Sequence, residues 1–435
     1  MYSIKDILRI EVAPALGCTE PAAVALCTAA AGSLLADRTL DSIKLWLSPN
    51  IYKNAFGVAI PGARGETGID LAAALGFYGG DPTRKLEVLD SVNAESLSQA
   101  RRLVADGKVE VKLVPDLQGI HIRALLERGS ETAEAVIERT HDHLITLKHN
   151  GQALEDHPLL SVATTDQHEL DQIEDFLRGQ TVKQLLDLVE GLDDEDLEFV
   201  RHGVELNVKL AEHGLTRNDG LGVGKTLQGL VDDGRIQKDM ILEARILTSA
   251  ASDARMAGVK LAAMSSAGSG NHGLTAVLPI WAVKSYLDDV SDRKVLQAIA
   301  LSHVITGYIK AHTGRLSAVC GCSVAAGAGA AAGIAYLMDG ELTAVSGAIK
   351  NLISDLAGVI CDGAKASCAL KLATAAGTAV QSALFALNGL TVGERDGIVG
   401  GSPEQTMKNV GQISTEGMIE TDRTILQIMI DKQFS

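Results

Sequence analysis

Along the first third of the chain, apolar and polar residues change places with two different periods. From Met1 to Leu35 the apolar positions recur at helical spacing with a break at Gly17, which predicts a helical hairpin. The string SIKLWLSPN, Ser42–Asn50, alternates instead, as a half-buried strand does. SPNIYKN, Ser48–Asn54, reads as a polar loop after it, and a second short strand is expected over 54–61 ahead of the turn string PGARGETG. IDLAAALGFYGG is helical in pattern and stops at glycines, and another helix is expected near 93–106. VEVKLV at 109–114 and GIHIRALLER at 119–128, followed by ETAEAVIER and HLITLKHNG, predict strands in a meander. Residues 152–167 are polar, contain a proline and suit an exposed connection.

Beyond Asp166 the alternation is gone. Apolar stretches at helical spacing, punctuated by glycines, run almost to Phe434. The chain therefore reads as α+β: a mixed α/β domain over 1–165, followed by a large all-α domain over 166–435. No internal repeat stands out, and the acidic string GLDDEDLEF reads as a solvated helix face.

Composition sharpens this picture. Hydrophobic residues make up 46% of the chain but aromatic residues only 3%. The core must be filled by Ala, Val, Leu and Ile, whose small volume lets helices approach closely. A net charge of −16 repels phosphate backbones, so a nucleic-acid partner is not expected. The opening MYSIKDILRIEV carries charges in its first turns, unlike a signal peptide. The uncharged run Leu316–Met338 approaches a membrane span in length, but Ala and Gly dominate it, so a buried helix is expected rather than a membrane segment. These features point to a cytoplasmic protein. Its six cysteines then suggest metal binding or catalysis rather than a disulfide framework.

Several strings could carry chemistry. Cys361 and Cys368 stand seven apart in VICDGAKASC, two turns apart if helical and closer if 362–366 forms a loop. Cys320 and Cys322 lie in SAVCGCS. Thiols from two such segments could hold zinc or an iron–sulfur cluster, or could simply be small core residues, since free cysteine is often buried. Cys27, among Ala and Leu, reads as core. In PALGCTEP, Cys18 sits where a helix should begin, with Thr19 able to cap and Pro21 suited to the first turn. There the helix dipole would favour a thiolate able to act as nucleophile or base. SSAGSGNHG, with Ser266, Gly268, Gly270 and Asn271, contains GxGxxG by letter but lacks a βαβ setting. It better suits a loop that cradles a carboxylate with backbone amides. TSAASDARMAG brings Asp253 and Arg255 together, an arginine for a carboxylate and an aspartate to hold it or an ammonium group. Asn50, Lys53 and Asn54 could likewise touch a substrate. GLGVGKT is not a phosphate loop, because Asp219 occupies the first glycine position. His141 and His143 alternate on an expected strand and read as ordinary polar residues.

Six of these strings in order, PALGCTEP, LSPNIYKN, TSAASDARM, SSAGSGNHG, LSAVCGC and VICDGAKASC, resemble the cysteine desulfidase family nearly end to end. They resemble the iron–sulfur serine dehydratases more distantly, through the last three. The resemblance implies a 4Fe–4S cluster on three cysteines: Cys361, Cys368 and Cys320, with Cys322 as an alternative to Cys320. It implies Cys18 as the base. One departure is His272, where the resemblance leads one to expect glutamine.

The implied chemistry leaves one iron open to polarise the substrate's β-substituent while Cys18 removes the α-proton. Cysteine and water would give pyruvate, ammonia and hydrogen sulfide without pyridoxal phosphate. The implied partner is a small amino acid, and a homo-oligomer is expected. The rival readings are a serine dehydratase with the same cluster, a non-catalytic amino-acid-binding metal protein, and a structural zinc protein.

Overall fold

The computed structural model describes residues 2–117, 119–161 and 167–432. The expected domain boundary at 165/166 lies outside the described residues. The chain is mixed α/β, with a six-stranded sheet in its first part and mostly helices after it.

The opening differs from a helical hairpin. Helix Ile4–Glu11 is followed by a three-residue strand, β1 (Pro14–Leu16), and then helix Thr19–Gly32. β1 pairs antiparallel with a second three-residue strand from far along the chain, Pro14 opposite Met264 and Leu16 opposite Ala262. The large sheet contains β2 (Ser42–Leu47), β3 (Val109–Leu113), β4 (His121–Arg128), β5 (Glu131–Glu138), β6 (Leu144–His149) and β7 (Gln152–Ala153), and Ala262–Met264 is β8. The order is β3-β2-β4-β5-β6-β7, parallel between β2 and β3 and antiparallel elsewhere. The expected meander is therefore present in β4–β5–β6. In β2, Ile43, Leu45 and Leu47 are fully buried, as strict alternation requires.

The strand expected over 54–61 does not form. Ser48 in extended conformation and Pro49 at the first helical position start a short helix, Pro49–Ala55, so SPNIYKN is helical rather than a loop. Helix Thr19–Gly32 is buried on every side between the sheet and helix Ile69–Gly79, and Cys27 is core as expected.

Two apolar cores fill these parts. One runs from Ala23 to Leu159 across the sheet and its helices. The other joins the helical part with Ile4, Ile7, Leu8 and Val12, so the first helix packs with the later helices, not with the sheet. Its central helix, Asp292–Thr313, lies against Ala325–Leu337, a helix of Ala and Gly with hardly a side chain exposed. The small residues permit that close approach. The run Leu316–Met338 is thus a turn followed by a buried helix. Among the described residues, one helix, Cys368–Leu387, is long and apolar enough to cross a membrane, and most of its apolar window is buried inside the structure.

Candidate active site

A cavity of about 80 Å³ opens where seven separate stretches of chain meet, and Cys18, Cys320, Cys322, Cys361 and Cys368 all line it.

Each thiol is placed by a local device. Gly17, at φ +67°, lets the chain turn from β1 into helix Thr19–Gly32, and a Cβ there would overlap the ring of Pro61. Cys18 is consequently the N-cap, in extended backbone, with Thr19 as the first helical residue rather than the cap. Cys320 and Cys361 are brought together by an antiparallel bridge between Val319 and Ile360. In it the Cys320 amide donates to the Val359 carbonyl at 2.9 Å and the Cys361 amide to the Ala318 carbonyl at 2.7 Å. Cys368 opens helix Cys368–Leu387, so 362–366 is the loop that lets the thiols converge. Asp362 stakes that loop through Lys365 and through Lys371, the latter at 2.5 Å.

The electrostatics correct one expectation. Cys18 lies at a helix N-terminus, yet its thiol is pushed well above the usual range, first by burial and then by the Glu20 carboxylate. Its Sγ donates to Glu20 Oε2 at 2.9 Å, so the resting group is a thiol. Desolvation and a like charge outweigh the dipole here. Among the other thiols, Cys322 donates to Cys320, which holds Cys320 below and Cys322 above the ordinary value. Burial pushes Cys368 up to about 11. The thiols face Lys310, itself pushed down to about 8 by burial, and Lys371.

The thiols on this wall are the donors that could hold a metal group. Among the described residues, no three His, Cys, Asp or Glu side chains stand close enough to hold a single metal. In a cluster each cysteine binds its own iron, so the sulfurs are spaced more widely. A thiol set facing the buried Lys310 and the half-buried Lys371 would suit such an anionic group.

Arg255 lines the same cavity at 1% exposure, and its Nε and Nη2 have no hydrogen-bond partner. Asn271 lines it too, with Oδ1 unpartnered. His272 faces the Ser266 carbonyl at 3.1 Å through Nδ1, which must carry the proton because a carbonyl only accepts. Burial pushes its pKa down to about 3, so the ring is neutral.

Of the residues singled out in the sequence, the cavity wall contains Cys18, Asn54, Arg255, Gly268, Asn271, Cys320, Cys361 and Cys368. Asn50, Lys53, Asp253, Ser266 and Gly270 do not line it. Lys53 is buried, pairs with Asp422 and reaches the Cys361 carbonyl at 3.4 Å. Asp253 turns away from the cavity and accepts from the Gly222 and Gly224 amides, each at 3.1 Å. The phosphate-loop look-alike thus starts helix Val223–Asp232 and binds an anion of its own chain. Asp253 therefore does not hold Arg255 or an ammonium group. Gly270 is the floor under Arg255.

Sequence reasoning missed Glu20, His141, Lys310, Arg315 and Lys371, all on the cavity wall. Glu20 lay in plain view in PALGCTEP. His141 and His143 sit in the turn between β5 and β6, not on a strand, and His141 is buried. Arg315 bridges Glu11 at 3.0 Å and Glu174 at 3.2 Å.

The chain is similar to known proteins along almost its whole length. The chain is 56% identical over 436 residues to a UPF0597 protein of Desulfatibacillum aliphaticivorans, covering 100% of this chain and 99% of the other. It is 53% identical to one of Desulfotalea psychrophila, covering 98% of both chains. A third, of Clostridioides difficile, is 43% identical over 98% of this chain and 99% of its own. The family model described as serine dehydratase alpha chain matches residues 83–427, which take in Arg255, Asn271 and the four clustered cysteines, and the chain therefore belongs to the serine dehydratase alpha-chain family.

Proposed function

We propose that the protein is an iron–sulfur lyase that acts on L-cysteine in the cytoplasm, releasing pyruvate, ammonia and hydrogen sulfide without pyridoxal phosphate. The observation that carries this reading is the meeting of Cys320, Cys361 and Cys368 with Cys18 and an unpartnered, buried Arg255 in one cavity. Family membership supports lyase chemistry, and the end-to-end resemblance to cysteine desulfidases supports the substrate.

Cys320, Cys361 and Cys368 would hold a 4Fe–4S cluster. When bound, it would supply a Lewis acid to polarise the leaving group. Arg255 takes the substrate carboxylate with its free Nε and Nη2, a bidentate pairing that the guanidinium fork suits. Asn271 Oδ1, an acceptor, is placed for the ammonium group. Cys18 removes the α-proton, and loss of the β-sulfur leaves aminoacrylate, which tautomerises and is hydrolysed to pyruvate and ammonia. Lys310 and Lys371 offset the negative charge of the thiolates, and Lys53 steadies Cys361 through its carbonyl.

Anaerobic purification and assay test the reading. A brown protein containing iron and sulfide, releasing hydrogen sulfide and pyruvate from cysteine faster than pyruvate from serine, is the expected result. Faster turnover of serine would reassign the substrate, and a colourless protein with tightly bound zinc would refute the cluster.

A further inference from the structure

Behind Cys18 runs a line of buried ionisable groups that proton abstraction alone does not explain. Glu20 Oε2 accepts from Cys18 Sγ at 2.9 Å and from Thr19 Oγ1 at 3.1 Å. Its other oxygen, Oε1, lies 3.8 Å from His141 Nε2. Glu20 and His141 are 6% and 7% exposed, and His141 Nε2 has no hydrogen-bond partner. The ring also lines a second cavity, bounded by Arg9, Glu11, Thr140 and Asp142. His141 therefore lines both cavities, with Glu20 and Cys18 on one side and, on the other, a chamber of mixed lining in which Arg9, Glu11 and Arg315 stand beside Ile10, Leu86 and Leu170.

We propose that Glu20 and His141 form a proton relay that links Cys18 to this second cavity. The relay rests on the assignment of Cys18 as base. Cys18 carries a proton at rest, so it cannot take another until that one has left. The S–H bond breaks as Glu20 Oε2–H forms, leaving Cys18 a thiolate beside a neutral acid. The thiolate then takes the substrate α-proton, the C–H electron pair forms the new C=C bond, and HS⁻ departs. The Glu20 carboxyl group then turns so that its O–H faces His141, gives the proton to Nε2 and returns to carboxylate, and His141 passes a proton on to solvent through the second cavity. Each turnover thus clears one proton away from the side where HS⁻ leaves. Glu20 and His141 are positioning residues acting through Cys18. A carboxylate kept only for structure would be served by free amides at the helix start. This one instead takes a thiol proton on one oxygen and turns the other toward an unpartnered imidazole nitrogen.

Two measurements on the full chain test the relay. In the cluster-loaded enzyme, Glu20→Gln and His141→Ala are expected to lower kcat by about 10²-fold or more, the usual worth of a placed proton carrier. KM and visible absorption should stay near wild type, and added imidazole should partly restore His141→Ala. In the metal-free protein, alkylation of Cys18 by iodoacetamide, followed at the Cys18 peptide, should be slower in Glu20→Gln than in wild type. A carboxylate that only repels the thiolate would make it faster when removed, and that result overturns the relay. Slower alkylation in a protein that releases no pyruvate would keep the relay and refute the proposed reaction. Loss of turnover in Cys18→Ala with Glu20→Gln within twofold of wild-type kcat would keep the reaction and refute the relay. If Glu20→Gln does not fold, Glu20→Asp, which withdraws the carboxylate from Cys18 by one methylene, must show the same slowing.

Discussion

Gly270 lies directly beneath the Arg255 guanidinium, so close that a Cβ at residue 270 would overlap Arg255 Nε, Cζ and Nη2. The glycine is what allows a fully buried arginine to lie flat at the start of helix Gly270–Lys284 with two nitrogens free. Gly270→Ala is therefore expected to displace the guanidinium and raise KM. Arg255→Lys should do the same, because an ammonium group cannot reproduce the fork. Loss of charge-assisted hydrogen bonds worth about 1.5–3 kcal/mol corresponds to roughly 10–150-fold. Visible absorption unchanged beside a raised KM would support this, and an unchanged KM in Arg255→Lys would contradict it.

The thiols should separate by role. Cys361→Ala and Cys368→Ala are expected to lose the visible absorption of the anaerobically reconstituted protein together with turnover. Cys18→Ala should keep the absorption and lose nearly all turnover, a factor of about 10²–10⁴. Cys320, tied to Cys361 by the Val319–Ile360 bridge, should behave like Cys361, and Cys322→Ala should retain the absorption. Iron analysis and spectra of the single variants check each assignment.

Asp253 is fully buried against the start of helix Val223–Asp232. Asp253→Ala leaves the Gly222 and Gly224 amides without their acceptor and is expected to cost about 1–3 kcal/mol of stability. KM should not change, since the carboxylate faces away from the cavity. Thermal unfolding alongside steady-state kinetics decides between this and a role in binding substrate.

Burial alone pushes the His303 pKa down to about 4 from an ordinary 6.5. Above pH 6.5 both folded and unfolded chains hold a neutral ring, and its contribution is complete. As pH falls from 6.5 toward 4, the unfolded chain gains a proton that the folded chain refuses. Stability then drops by up to about 1.4 kcal/mol per pH unit and levels off below 4. His312, also pushed down to about 4, chiefly by burial, adds to the same slope. His303→Gln should flatten it, which urea unfolding at a series of pH values will reveal.

The sequence carried most of the sheet and all of the clustered thiols, for different reasons. β2, β4 and β6 are long enough for alternation to register, and the cysteines are scarce enough to be conspicuous. β1 and β8, at three residues each, are too short to show a period, and each depends on a partner about 250 positions away. SPNIYKN looks like a loop in sequence because Pro49 at a helix start resembles Pro in a turn. The orientation of Asp253 follows from how helix Met240–Met256 meets the start of the next element back, which no local pattern encodes. His141 reaches Glu20 only because the β5–β6 turn folds over helix Thr19–Gly32. That is a tertiary fact about residues more than a hundred positions apart.

The first helix, Ile4–Glu11, finds its apolar partners in helix Asp292–Thr313 and its neighbours. During synthesis it therefore emerges from the ribosome long before the surface that shelters it exists. Its oily stripe must wait through hundreds of residues of translation, open to aggregation or to a chaperone. Ring closure over so long a span makes this docking a late step of folding. A fragment starting at residue 167 would be born with the matching groove bare and without the strand that delivers Cys18.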